Sequence, residues 1–334
     1  MIAFCILIIT FVILFRSKDP LVLTKERCDF LKAYFPFLII IGHCSFFKSN
    51  AFFDDMRWSG PYIVATFFFI SGYGLQYKYR HSQLNFEYLK NKIKSILLPV
   101  ISPLIIYVLL SCNGWESFKH LFETAISHGN LILPYSWFVI VILFLYLSYY
   151  FIRIHLKKEL HFCIVYCVFL LVLTVLLHRL GWDSSSFVSN SAFLLGIIYY
   201  ENENVLLKYI NSWGIKLLLI TLMGCISFSY YNNFPLFHGF ALLAVPFYTM
   251  VFIGIFSIIS VYYLKIIKLL KQYSFDIYLT QGIAFSILFI FELNDWSFMI
   301  LSLILSLILG IISHKLTLFI QNIIFNTKNK KINE

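Results

Sequence analysis

Long apolar runs recur along nearly the whole of this 334-residue chain, and they restrict its fold more than any other feature. A bilayer core about 30 Å thick is crossed by a helix of about 20 mainly apolar residues, fewer where the bilayer thins or neighbours help. Eleven runs qualify, at approximately 2–15, 31–47, 60–77, 95–112, 134–152, 161–178, 186–200, 215–231, 238–264, 275–292 and 297–320. In lipid each segment must satisfy its own backbone polar groups, which leaves helices as the way to spend such runs. Composition agrees: 60% of residues are hydrophobic and 13% charged, against about 45–50% and about 25% in soluble domains. The expected fold is therefore all-α, a polytopic integral membrane bundle of about eleven transmembrane helices, with no stretch left over for a separate soluble core. The run at 238–264 contains Pro246, which removes a backbone donor and predicts a kinked or broken helix. The first run lacks a basic flank and a small-residue cleavage site, so it is expected to remain as an anchor within residues 1–24. A membrane domain then covers 25–322, and 323–334 form a basic cytoplasmic tail.

A net charge of +10 raises nucleic acid as a partner, but the basic residues sit in short connectors between apolar runs and form no single patch. They alternate instead. Lys and Arg crowd the connectors at 16–32, 78–94, 153–158, 208, 265–271 and 328–331, while the opposite set holds only Lys48, Arg57, Lys119 and Arg179. Positive residues are retained on the cytoplasmic side, which places the N-terminus outside and the C-terminus in the cytoplasm of a cell's inner or plasma membrane. The seven cysteines lie mostly within apolar runs and show no zinc-type spacing, so neither a metal site nor a disulfide framework is expected.

The second run begins RCDFLKAYFPFLIIIGHC. Lys32 and His43 are eleven positions apart, and eleven helical steps of about 100° total about 1,100°, about 20° past three full turns, with a rise of about 16 Å. They share a helix face. A cation at the cytoplasmic mouth and an imidazole deeper on the same face suit a phosphate-bearing donor that reacts near His43. The competing readings are a snorkelling topology lysine and a helix-packing histidine. An ionisable group within a span is costly, however, and points to function by default.

Further segments resemble, in order, the acyltransferase 3 family of membrane acyltransferases. That family carries a basic residue, usually arginine, separated by ten residues from a histidine in its first core helix, as Lys32 and His43 are here. ATFFFISGYGLQYKYR resembles a Phe-Phe and Ser-Gly segment through Phe68, Phe69, Ser71 and Gly72. The basic stretch KNKIKSILLP, with Lys92 and Lys94, is similar to the family's basic segment before its third core helix. YSWFVIVILFLYL resembles its Trp-Phe helix through Trp137, Phe138 and Tyr146, and QYSFDIYLTQG a late helix through Tyr273, Ser274, Tyr278 and Leu279. Gln281 stands where many members carry histidine, which leaves His43 as the main candidate base.

The resemblance implies a ten-helix core over residues 25 to about 320, with the first span as an addition. It also implies an acyl-CoA co-substrate, most simply acetyl-CoA, with no bound cofactor. His43 would be catalytic; Lys32, Ser71, Lys92 and Lys94 would bind the donor; and Phe69, Gly72, Trp137, Tyr278 and Gln281 would line the site. The acceptor would be a hydroxyl of a cell-surface saccharide or lipid-linked glycan, and His43 would either take its proton or carry the acyl group briefly. Ser71 and Gly72 also suit plain helix packing, and Tyr135 and Trp137 an aromatic belt. The alternative class is a transporter, flippase or polymerase for lipid-linked oligosaccharide. Those activities call for more mid-span ionisable groups or a larger outer loop than the segment at 113–133.

Overall fold

Side-chain caps written into the sequence mark where two of the helices begin in the computed structural model, which describes residues 24–57, 60–112, 114–210 and 265–330. The expected spans at 2–15, 215–231 and 238–264, with Pro246, and the proposed N-terminal anchor lie outside these residues. Among the described residues every regular element is helical. The helices are α1 (Lys25–His43), α2 (Ala51–Arg57), α3 (Gly60–Arg80), α4 (Phe86–Ser111), α5 (Trp115–Ser127), α6 (Trp137–His155), α7 (Glu159–Arg179), α8 (Ser191–Ile210), α9 (Lys265–Phe289) and α10 (Asp295–Lys330). Single 3-10 turns occupy Cys44–Phe46 and Ser184–Ser186.

Thr24 caps α1 by accepting from the Arg27 amide at 3.3 Å, and Asn85 caps α4 by accepting from the Tyr88 amide at 2.7 Å. Pro36 lies within α1, and Pro99 and Pro103 within α4. A proline has no N–H for the carbonyl four residues earlier, so Pro36 deprives Lys32, and Pro99 deprives Ser95, of the usual helical donor. Both loosened turns border the cavity described below.

Five stretches are long and apolar enough to cross a membrane: Lys25–Phe46, Phe86–Ser111, Trp137–His155, Glu159–Arg179 and Asp295–Ile323. Exposure follows helical spacing. On α7, Leu160, Ile164, Val168, Leu171, Val172 and Val175 form one exposed apolar face, as a lipid-facing helix requires. Helices α3, α8 and α9 are not marked out by hydropathy, although the sequence predicts spans there. Their burial shows why. Residues 276–285 of α9 are buried on every side, so this segment meets protein rather than lipid and tolerates Asp276, Thr280 and Gln281.

Lipid tails are as apolar as leucine, so close packing and hydrogen bonds hold such helices together. Helices α3 and α8 touch backbone to backbone: a Cβ on Gly72 would lie 2.0 Å from the Phe193 carbonyl oxygen, and one on Gly196 would lie 2.1 Å from that of Phe69. Helices α4, α9 and α10 are joined by hydroxyls. Ser102 Oγ lies 2.8 Å from Ser313 Oγ and 3.2 Å from Thr317 Oγ1, and Thr280 donates to the Ser306 carbonyl at 3.2 Å. Asp276, 2% exposed, pairs with His314 at 3.0 Å.

A second polar tie closes the end of the bundle at which α3 stops. Arg153 is 1% exposed, donates to Glu159 at 2.7 Å and to Gln76 at 2.8 Å, and stacks over Phe162 at 3.8 Å. Arg80 joins it by pairing with Glu159 at 2.8 Å and with Glu201. Helices α3, α6, α7 and α8 thus share one charged junction. The segment read as the outer loop at 113–133 holds α5, an amphipathic helix with Trp115, Phe122 and Ile126 exposed.

Candidate functional site

Five helices converge on a cavity of about 240 Å³. Helix α1 contributes Lys32, Pro36 and Ile39, positions that repeat at helical spacing along one face. Helix α3 contributes Val64, Phe67 and Ser71; α4 contributes Lys92, Ser95 and Ile96; α6 contributes Phe138, Ile142 and Tyr146; and α9 contributes Ser274, Phe275 and Tyr278. Each helix therefore turns one stripe inward. The walls are mainly apolar, with hydroxyls interspersed, and the charged groups among the described lining residues are the two lysines. Among the described lining residues there is no acidic side chain. The nearby Asp29 is buried and occupied by Lys271 at 2.7 Å. Two ammonium groups with no carboxylate among the described lining residues favour an anionic ligand at this end.

The next member of the α1 stripe is His43, one turn beyond Ile39 and outside the cavity lining. Its imidazole is half-buried and fixed from two sides. The Tyr135 ring stacks on it with centroids 4.3 Å apart and planes at 22°, and its Nδ1 lies 3.0 Å from Gln281 Oε1. Phe46 stands 5.6 Å away, and Arg57 lies over the Phe46 ring at 4.3 Å. Tyr278 links cavity and imidazole: it lines the cavity and donates to the Tyr135 carbonyl at 2.5 Å.

Tyr135 owes its position to a turn held by side chains. Ser136 Oγ accepts from the Leu131 amide at 2.9 Å and donates to the Leu133 carbonyl at 2.5 Å, and Asn130 accepts from the Trp137 amide at 3.0 Å. Within that turn Tyr135 adopts φ +62°, a left-handed conformation unfavourable for a residue with a large side chain. Gly282 of α9 packs against Pro134, where an added Cβ would sit 2.9 Å from the Pro134 Cβ. Strain of this kind persists only when the surroundings overdetermine it, and it tends to collect where a protein does chemistry.

The sequence-derived residues do not all meet in one place. Lys32, Ser71, Lys92 and Tyr278 meet at the cavity, and Gln281 meets His43. Lys94 lies outside the lining, as expected of a residue about 200° around α4 from Lys92. Phe69, 0% exposed, stacks edge-on against Tyr199, and Gly72 meets Phe193, so both belong to the α3–α8 contact. Trp137 packs beside Phe138, whose ring reaches the cavity. Sequence reasoning left Tyr135 to a membrane belt and missed its stacking on His43. No local signal announces a tyrosine at positive φ; the Asn130 and Ser136 hydrogen bonds create it.

A family model described as an acyltransferase domain matches residues 26–315. No curated protein and no solved structure matches the chain.

Proposed function

We propose, from the premise that this chain belongs to the acyltransferase 3 family and is a multi-pass membrane acyltransferase, that it moves an acyl group from acyl-CoA to a hydroxyl of a cell-surface saccharide or lipid-linked glycan. The acyl group is acetyl in the simplest case. The observation that carries this reading is the α1 stripe, in which Lys32, Pro36 and Ile39 line a cationic cavity and His43 follows one turn later. Phosphates of the donor pair with Lys32 and Lys92, which supply charge-assisted hydrogen bonds. A cavity of about 240 Å³ is smaller than most ligand sites, at about 300–1,000 Å³, and so takes only part of a nucleotide-bearing thioester. From the alternation of Lys and Arg, the Lys32 mouth faces the cytoplasm and the acceptor arrives from the outer side.

A hydroxyl is a weak nucleophile at neutral pH and gains from a base in contact with its proton. In the proposed reaction His43 accepts that proton as the hydroxyl oxygen attacks the thioester carbonyl carbon. The new C–O bond forms, the C–S bond breaks, and the proton passes from the imidazolium to the departing sulfur. The products are the acyl ester and free CoA thiol. The role of Tyr278 and Tyr135 is to close the space between donor and imidazole against water.

The test compares membranes containing wild type or His43→Ala at matched levels, supplied with radiolabelled acetyl-CoA, for label in cell-envelope glycan. Loss of at least about 100-fold in the variant is the expected outcome, the size of a missing general base. Equal labelling would remove His43 from the chemistry, and absence of label with wild type in membranes rich in glycan would favour a transporter.

A further inference from the structure

The partner of His43 lies on a helix far away in sequence. Gln281 sits in the segment of α9 that is buried on every side and is itself 0% exposed. Its Oε1 is 3.0 Å from His43 Nδ1, and its neighbour Gly282 packs against Pro134, next to the Tyr135 that stacks on the imidazole. Gln281 Nε2, by contrast, is buried without a hydrogen-bond partner among the described residues. A buried amide that satisfies only its oxygen is a poor packing element, since its N–H groups have lost water and gained nothing. The hydrogen bond this side chain makes is through its oxygen, and it is made to His43.

We propose that Gln281 is a positioning residue for acyl transfer: its carbonyl oxygen holds His43 in the tautomer with the proton on Nδ1, and so leaves Nε2 as the atom that takes the proton of the acceptor hydroxyl. An amide oxygen can only accept, so the nitrogen facing it in a neutral imidazole must be the one that carries hydrogen. The other nitrogen then keeps its lone pair in the ring plane. Stacking on Tyr135 at 4.3 Å prevents the ring from turning over, and the two contacts together select one face and one nitrogen. Glutamine is suited to this task because it does not titrate and cannot compete for the proton being moved. The proton budget is unchanged: one proton leaves the hydroxyl for Nε2 and returns to the CoA sulfur, while the Nδ1 proton stays in its bond to Gln281 throughout.

This inference rests on the reading of His43 as the base, and the experiment separates the two. Full-length protein in membranes is assayed for transfer from radiolabelled acetyl-CoA to envelope glycan over a range of acetyl-CoA concentrations, with wild type, His43→Ala, Gln281→Leu and Gln281→Glu. Folding is checked by thermal melting in detergent. Gln281→Leu is expected to lower the maximal rate by about 100-fold with the KM for acetyl-CoA unchanged. Gln281→Glu, whose carboxylate still accepts from Nδ1, is expected to recover at least about a tenth of the wild-type rate. If Gln281→Leu stays within about threefold of wild type while His43→Ala is inactive, the inference falls and the function stands. A folded Gln281→Glu as inactive as Gln281→Leu overturns it too, and an active His43→Ala overturns both readings.

Discussion

Lys32 is the residue whose proposed part in binding can be separated most cleanly from the chemistry. It lines the cavity with Lys92, far from the His43 imidazole, and the adjacent carboxylate of Asp29 is held by Lys271. Lys32→Ala is expected to raise the KM for acetyl-CoA about tenfold, equivalent to about 1.4 kcal/mol, with the maximal rate little changed. Lys32→Arg should restore most of that affinity, because a guanidinium also meets phosphate with charge-assisted bonds. Steady-state kinetics in membranes decide it: a fall in maximal rate at unchanged KM would move Lys32 out of donor binding. The shared face of Lys32 and His43 was legible in the sequence because helical phase is local arithmetic. The contact between His43 and Gln281 was not, since nothing local joins residues 238 positions apart.

Between helices, small residues decide how near two backbones come. Gly72 and Gly196 let α3 and α8 meet carbonyl to Cα, and a methyl group on Gly72 would fall 2.0 Å from the Phe193 carbonyl oxygen. Backbone cannot move aside as a side-chain tip can. Gly72→Ala is therefore expected to destabilise the bundle by about 1–3 kcal/mol and to lower its melting temperature, whereas Ser71→Ala, at the cavity wall, should melt like wild type. Equal melting of Gly72→Ala and wild type would show that the two helices do not pack this way. The sequence marked Gly72 and Phe69 by resemblance as residues near a site. Their neighbours place them against α8 rather than on the stripe of Val64, Phe67 and Ser71 that lines the cavity, a division that hydropathy left unassigned because α3 is apolar on both sides.

For the whole molecule the open variable is direction. The charged junction of Arg80, Arg153, Glu159 and Glu201 and the cavity lysines lie toward the Lys25 end of α1, while α5 and the His43 turn lie toward the other. If Lys and Arg set the orientation, the exposed connector at Ser82 faces the cytoplasm and the exposed Ser127 at the end of α5 faces outward. In a protein whose native cysteines have been replaced, Ser127→Cys should react with a membrane-impermeant thiol reagent in intact cells and Ser82→Cys only in inverted vesicles. The reverse pattern would put the donor mouth outside and would contradict transfer from a cytoplasmic acyl-CoA.

By itself the sequence determined the solvent, the element type and the phase of each helix. Apolar runs of bilayer length leave helices as the structure that satisfies the backbone, and spacing along a run says which residues share its face. Family order added the chemistry. Only the tertiary structure decided which faces meet. It seated Lys32 and Lys92 in one cavity, stopped that cavity a turn short of His43, and set Tyr135 and Gln281 against the imidazole. It also joined Arg153 to Glu159 and Gln76. The physical reason is that hydropathy reports the free energy of one segment in lipid, a property each helix has alone, whereas partners among helices are chosen by close approach and by hydrogen bonds whose two halves lie far apart in the chain.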